Sequence, residues 1–121
     1  MKIILFANTF EYFKSRKNFI KFLLDKKFKV YICGDTDKYD LYLEQIGCII
    51  LKFKIEKKGK NFFKELLLLF KIFTIFKKIK PDLILNFTIK PVIYGSIVSS
   101  FLKIIYLSFF SNSYFLFPKE M

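Results

Sequence analysis

The chain contains no histidine. That absence alone removes every Ser/His/Asp triad, Cys/His dyad, HExxH zinc site and imidazole acid or base. Tryptophan is also missing, alanine occurs once, at Ala7, and of 22 basic residues only Arg16 is arginine. Sequence-specific readers of nucleic acid use arginine for bidentate contacts to base edges, so no specific nucleic-acid partner is expected despite the net charge of +12. The surplus of Lys, Phe and Ile is the skew that an AT-rich genome's codon bias writes, so the net charge by itself is not read as a function. Two cysteines, Cys33 and Cys48, are too few for an all-thiolate zinc site or a disulfide framework and read as buried thiols in a reducing compartment. Glycine is scarce too. Asn8-Thr9-Phe10-Glu11 follows the first apolar run and the first glycine is Gly34, which excludes a dinucleotide fingerprint at that turn, and no Walker loop occurs. No metal or cofactor is expected.

What the chain does contain is 54% hydrophobic residues in a length of 121, enough for one domain with a real core. Met1 to Phe10 lacks a small-residue cleavage site and is not a signal peptide. Phe62 to Phe76 is interrupted by Lys64, Glu65 and Lys71 and falls short of the ~20 residues a membrane span needs. Pro91 to Pro118 holds a single charge, Lys103. Hydropathy leaves a span open there, while Gly95, the serines and Asn112 argue against it.

The apolar pattern alternates strands and helices. Lys2 to Ala7 is an unbroken apolar run, as expected of a strand covered on both faces; Phe28 to Cys33, Cys48 to Ile55 and Asp82 to Phe87 follow as further strands. Helical spacing predicts helices over Glu11 to Lys27, Tyr39 to Ile46, Asn61 to Lys80 and Lys90 to Lys103, and Ile104 to Leu107 begins a fifth strand. This order implies an α/β fold, a Rossmann-like parallel sheet with helices on both faces.

Three stretches carry candidate chemistry. Asp35 and Asp37 form an Asp-x-Asp pair after the second strand, a spacing that can share a hard cation and that equally serves turn and capping chemistry. Lys64, Lys71 and Lys78 recur every seven residues, with Lys60 close to their line. Leu66, Leu69, Phe70, Phe73 and Phe76 point largely away from that stripe, and Leu67, Leu68 and Ile75 fall beside it. The stripe is either a solvated helix edge or a membrane-facing surface whose lysines meet lipid phosphates. The third stretch runs from Leu85 to Ser96. A strand ends in Asn86-Phe87-Thr88 and a helix starts at Lys90-Pro91, so side chains and free amides converge at the carboxyl edge of the sheet, where parallel α/β folds bind ligands. A phosphate or sugar hydroxyls would suit that junction, and so would a plain helix start.

Pro81-Asp82, Asn86-Phe87-Thr88-Ile89-Lys90-Pro91 and Ile93-Tyr94-Gly95-Ser96 together resemble the N-terminal domain of bacterial family 4 glycosyltransferases of the GT-B fold, the surface-polysaccharide and lipid-linked-oligosaccharide type. Ser15-Arg16, Tyr39 to Gly47 and Lys58-Gly59-Lys60-Asn61 agree with it. The resemblance covers about residues 1 to 106 and leaves 107 to 121 as a divergent apolar tail, where Ser111-Asn112-Ser113-Tyr114 stands in place of the family's glycine-containing turn. It implies the acceptor-facing half of an enzyme that moves a sugar from a nucleotide donor to a lipid-linked or other saccharide acceptor. The donor-binding half is expected on a separate or lost segment, and the chain is expected to be inactive alone. Asn86, Thr88, Lys90 and Tyr94 are the expected substrate-binding residues, and Lys64, Lys71 and Lys78 the membrane-facing ones. No catalytic base is named; Glu11 shares the sheet edge but suits a helix N-terminus. The expected place is the cytoplasm, against the anionic inner face of the cell membrane. The competing expectation is a noncatalytic membrane-surface module or a degenerate gene product.

Overall fold

Lys2–Thr9 (β1) shows why its apolar run does not alternate. Ile3, Leu5 and Ala7 are buried in one layer of the molecule, and Ile4 and Phe6 in the other. The strand is therefore covered twice, as in any parallel sheet packed by crossover helices. The computed structural model describes residues 1–35, 38–55, 61–110 and 113–117, with Phe110 and the last group described by backbone alone.

After β1 come a 3₁₀ segment, Phe10–Arg16, then α1 (Lys17–Asp25), β2 (Lys29–Asp35), α2 (Tyr39–Gln45), β3 (Ile49–Lys52), α3 (Phe62–Ile79), β4 (Leu83–Phe87), α4 (Ile89–Leu102), β5 (Tyr106–Phe110) and β6 (Ser113–Phe117). The strands lie in the order β3-β2-β1-β4-β5-β6. The first five are parallel, and β6 returns antiparallel along β5. On one side of the sheet the 3₁₀ segment, α1 and α2 bury Phe10, Phe13, Ile20, Leu23 and Leu43 against Ile32, Leu85 and Phe87. On the other, α3 and α4 bury Leu68, Ile72, Phe76 and Val98 against Phe6, Ile84 and Tyr106. Each such side chain contributes about 1.5–3 kcal/mol relative to exposure. Cys33 and Cys48 are free, buried and in opposite layers, and burial pushes both thiols up, Cys48 to about 11.

One expectation is corrected. The helix expected over Glu11 to Lys27 is divided, because Phe10, Phe13 and Arg16 recur every three residues, the period of a 3₁₀ turn. That spacing buries both Phe rings and lays the Arg16 guanidinium 4.9 Å from the Phe87 ring centre and 5.1 Å from that of Tyr12, whose hydroxyl it also meets at 2.8 Å. Past residue 106 the uncharged run pairs in the sheet, β5 with β4 and β6 with β5. No helix among the described residues is long and apolar enough to cross a membrane.

Candidate functional site at the carboxyl edge of the sheet

β1 and β4 are parallel neighbours, so Asn8 and Thr88 arrive at the same edge. The Asn8 backbone N–H donates to the Thr88 hydroxyl at 3.1 Å. Thr88 itself sits at φ 66°, ψ 162°, a region of backbone space populated essentially by glycine that costs about 1–3 kcal/mol for other residues. Such strain persists only when neighbours enforce it. Here the Asn8 bond holds the side chain, and the Val92 N–H donates to the Thr88 carbonyl at 3.0 Å in the first turn of α4. Because the Thr88 hydroxyl is turned to Asn8, no side chain caps α4.

Lys90 and Tyr94, one helical turn apart, line an open recess of about 470 Å³ with Asn8, Ile89 and Ile93. The Asn8 side-chain carbonyl Oδ1 is buried and has no partner among the described residues. A third element completes the site. Glu65 of α3 receives a 2.9 Å hydrogen bond from Lys90 Nζ through Oε1, and a hydrogen bond from the Tyr94 hydroxyl through Oε2. The Tyr94 bond, then Lys90, hold the Glu65 carboxyl below its ordinary range. Burial first, and then the Glu65 bond and charge, push the Tyr94 hydroxyl up to about 12. The Lys90 charge is thus balanced in place. The recess offers oriented donors and acceptors in place of a net positive field, an arrangement suited to sugar hydroxyls more than to a phosphate.

Asn86 is corrected. It lies beneath the recess, fully buried on β4, with its amide against Gly95, and neither side-chain polar atom has a partner among the described residues. A Cβ at position 95 would collide with that amide, so this glycine is what lets α4 approach the strand. Asn8 and Glu65, by contrast, were not among the expected residues. Glu65 is the one acid in the apolar run of α3, which was the available signal.

The other candidates lie elsewhere. Lys64, Lys71 and Lys78 are all exposed along α3, and Lys64 and Lys71 border a cavity shared with Lys52 and Lys54; Lys60 falls outside the described residues. The apolar residues of α3 divide differently from expectation. Leu68, Ile72 and Phe76 are buried, while Leu66 and Phe70, placed away from the lysines, remain exposed together with Phe62, Phe63 and Leu67. The sheet takes up only one row of the helix. Asp35 accepts the Ile55 N–H at 3.0 Å, a structural use, and Asp37 lies outside the described residues. Glu11 is exposed and paired with Lys14 at 3.3 Å, beside Lys38 and Tyr39.

A family model described as glycosyl transferase 4-like matches residues 2–121. Among solved structures, a glycosyltransferase from Rickettsia africae superposes with a TM-score of 0.72 at 16% identity, covering 90% of this chain and 29% of that one. MurG from Acinetobacter baumannii gives 0.68 at 19%, covering 88% and 32%. A UDP-GlcNAc 2-epimerase from Neisseria meningitidis bound to UDP-GlcNAc gives 0.64 at 15%, covering 89% and 32%. The chain thus spans about a third of the length of these structures. No curated protein matches it.

Proposed function

The chain belongs to the glycosyl transferase 4-like family, and from that premise we propose that it is the acceptor-facing Rossmann-like half of a GT-B glycosyltransferase. The reaction is transfer of a sugar from a nucleotide-sugar donor to a lipid-linked or saccharide acceptor in the making of cell-surface polysaccharide. The fold alone does not separate a transferase from an epimerase that shares it; the family match supports glycosyl transfer. The observation that carries the reading is the recess beside the strained Thr88, lined by Asn8, in which Lys90 and Tyr94 are held in place by Glu65. An acceptor hydroxyl entering that recess would meet the Lys90 and Tyr94 side chains. The donor nucleotide is assigned to a second Rossmann-like half, as in other GT-B enzymes.

The test is titration of the 121-residue chain with a short-chain polyprenyl-diphosphate monosaccharide, followed by backbone amide shifts. Shifts centred on Asn8 and residues 88–94, with affinity reduced about tenfold by Asn8→Ala, support the reading. Shifts confined to another surface sink it. Calorimetry with UDP- and GDP-sugars should give no saturable heat, and a micromolar dissociation constant would move the donor onto this chain.

The same domain rests peripherally on the inner face of the cell membrane. Support comes from α4, whose Ile89, Ile93, Ile97 and Phe101 form one exposed row, and from the exposed Phe63, Leu66 and Phe70 of α3. Each lysine near an anionic surface contributes about 1 kcal/mol and is screened by salt. Sedimentation with anionic vesicles should weaken as salt rises, and Phe70→Ser with Phe101→Ser should reduce it further. Equal binding to neutral vesicles at every salt concentration would overturn the electrostatic part.

A further inference from the structure

Arg16 is the one arginine among 22 basic residues, and it is half-buried where a lysine could not do the same work. The 3₁₀ segment after β1 lays its guanidinium against the rings of Tyr12 and Phe87, and Nη2 donates to the Tyr12 hydroxyl at 2.8 Å. Phe87 is in turn stacked on Phe109, so the aromatic platform spans the carboxyl ends of β4 and β5. A delocalised guanidinium can lie on such rings and still present a planar fork of N–H groups; an ammonium cannot. With Nε buried and Nη2 bonded, the group is fixed in orientation, while Nη1 makes no hydrogen bond among the described residues and stays open to solvent. No carboxylate among the described residues pairs with Arg16: Glu11 is bonded to Lys14, Asp40 to Lys52 and Glu65 to Lys90.

The position matters as much as the charge. β1 and β4 are the neighbours at which the strand order reverses, and the chain leaves β1 into one helical layer and β4 into the other. Parallel sheets bind ligands in the crevice at the carboxyl ends of such a pair. Arg16 stands there on Phe87, in the layer opposite α4, whereas Lys90 and Tyr94 approach from α4 itself. We propose that Arg16 binds the carboxylate of an acidic sugar, a hexuronate in the acceptor, through its outward N–H groups, a proposal that rests on the acceptor reading above. The site offers one unit of charge on an apolar platform, so a singly charged, planar carboxylate matches the fork and gives up less hydration than a phosphate dianion.

A single arginine gives a single Nε–H resonance, and burial of that atom slows its exchange with water, so the site carries its own probe. The full chain is titrated with sodium glucuronate, glucose and methyl phosphate at constant ionic strength. Glucuronate should move the Nε–H resonance saturably, with a dissociation constant on the order of a millimolar, and glucose should leave it in place. Arg16→Lys keeps the charge and loses the fork; read from the backbone amides of Tyr12 and Phe87, it should weaken glucuronate at least about fivefold, and Lys14→Gln less than about twofold. An equal shift with glucose, tighter binding of methyl phosphate, or unchanged affinity in Arg16→Lys overturns the proposal, and the glucose comparison on the unaltered chain decides it even if Arg16→Lys fails to fold. A silent Nε–H alongside shifts at residues 88–94 with the polyprenyl-linked probe sinks this proposal alone. A glucuronate response at Arg16 with residues 88–94 unmoved by that probe sinks the acceptor reading instead.

Discussion

The two helical layers on either side of the sheet differ in where their apolar side chains end. Beneath the 3₁₀ segment, α1 and α2, aromatic rings interlock: Phe13 meets Tyr12 and Phe87 edge-on at 5.6 Å each, and Phe109 stacks on Phe87 at 4.7 Å. Only Phe19, Phe22 and Leu41 remain exposed on those helices, and Lys26 covers the Phe22 ring. In the other layer nine large apolar side chains of α3 and α4 face outward, Phe70 at 67% exposure and Phe101 at 75% among them. Isolated exposed apolar residues need no explanation, but a continuous set across two helices does. The first layer completes its burial within the chain. The second leaves a set of large apolar side chains outside the core on its outer face.

The largest expected effect tests the first half of that contrast. Phe13→Ala should cost about 3–5 kcal/mol in urea unfolding, whereas Phe70→Ser should stay within about 0.5 kcal/mol. A comparable loss for Phe70→Ser would mean that the outer face is already covered in solution. Next, Gly95→Ala on the inner side of α4 drives a methyl into Asn86 and should cost about 1–3 kcal/mol. The double variant with Asn86→Ala should recover most of that loss, while Ile97→Ser on the outer side changes stability little. A full cost retained in the double variant would show that backbone, not the amide, sets the approach of α4.

A smaller effect should be shared by both layers. Lys27, Lys80 and Lys103 all adopt positive φ at chain turns after helices, at 66°, 54° and 59°, where glycine avoids a penalty of about 1 kcal/mol. Each Lys→Gly replacement should raise stability by roughly that amount. A gain confined to Lys27 would show that the α3 and α4 ends are restrained by packing. The smallest effect is confined to the second layer. Glu65 is held below its ordinary range when folded, so its contribution is complete above the unfolded carboxyl pKa and lost as pH falls through the depressed folded value. Glu65→Gln should therefore flatten the acid limb of the stability profile and leave the neutral region's pH slope unchanged. An unaltered acid limb would place the pH dependence on other carboxylates.

Much of this was legible before any coordinates. β1 and β4 announce themselves as apolar runs without alternation, and Asn61 before Phe62 marks the start of α3, where its Oδ1 accepts from the N–H groups of Phe63 and Lys64. The recess was half legible. Thr88, Lys90 and Tyr94 are close in sequence and fall at a strand-to-helix junction, so local pattern brings them together. Asn86 is turned toward α4 by strand alternation, while the unusual backbone at Thr88 redirects the chain just beyond. Glu65 showed only as the one acid in an apolar run; its partner was not legible, because it reaches Lys90 across 25 residues and no local period encodes a contact between two helices. The split of the first helix was missed because a spacing of three satisfies both α and 3₁₀ periods over two turns.

β1 lies between β2 and β4, and its pairing with β4 is pinned at both ends. The Lys2 N–H donates to Asp82 Oδ2 at 2.7 Å and the Asn8 N–H to Thr88 Oγ1 at 3.1 Å, each across 80 residues. On a ribosome adding about 5–20 residues per second, one edge of β1 is therefore without its native partner for roughly 4–16 s after it emerges. β2 and β3 can dock during that wait, but the open edge is a template for any passing strand. Synthesis of this protein thus has a vulnerable interval that closes only when β4 arrives, and a ribosome stalled within the α3 codons would lengthen it.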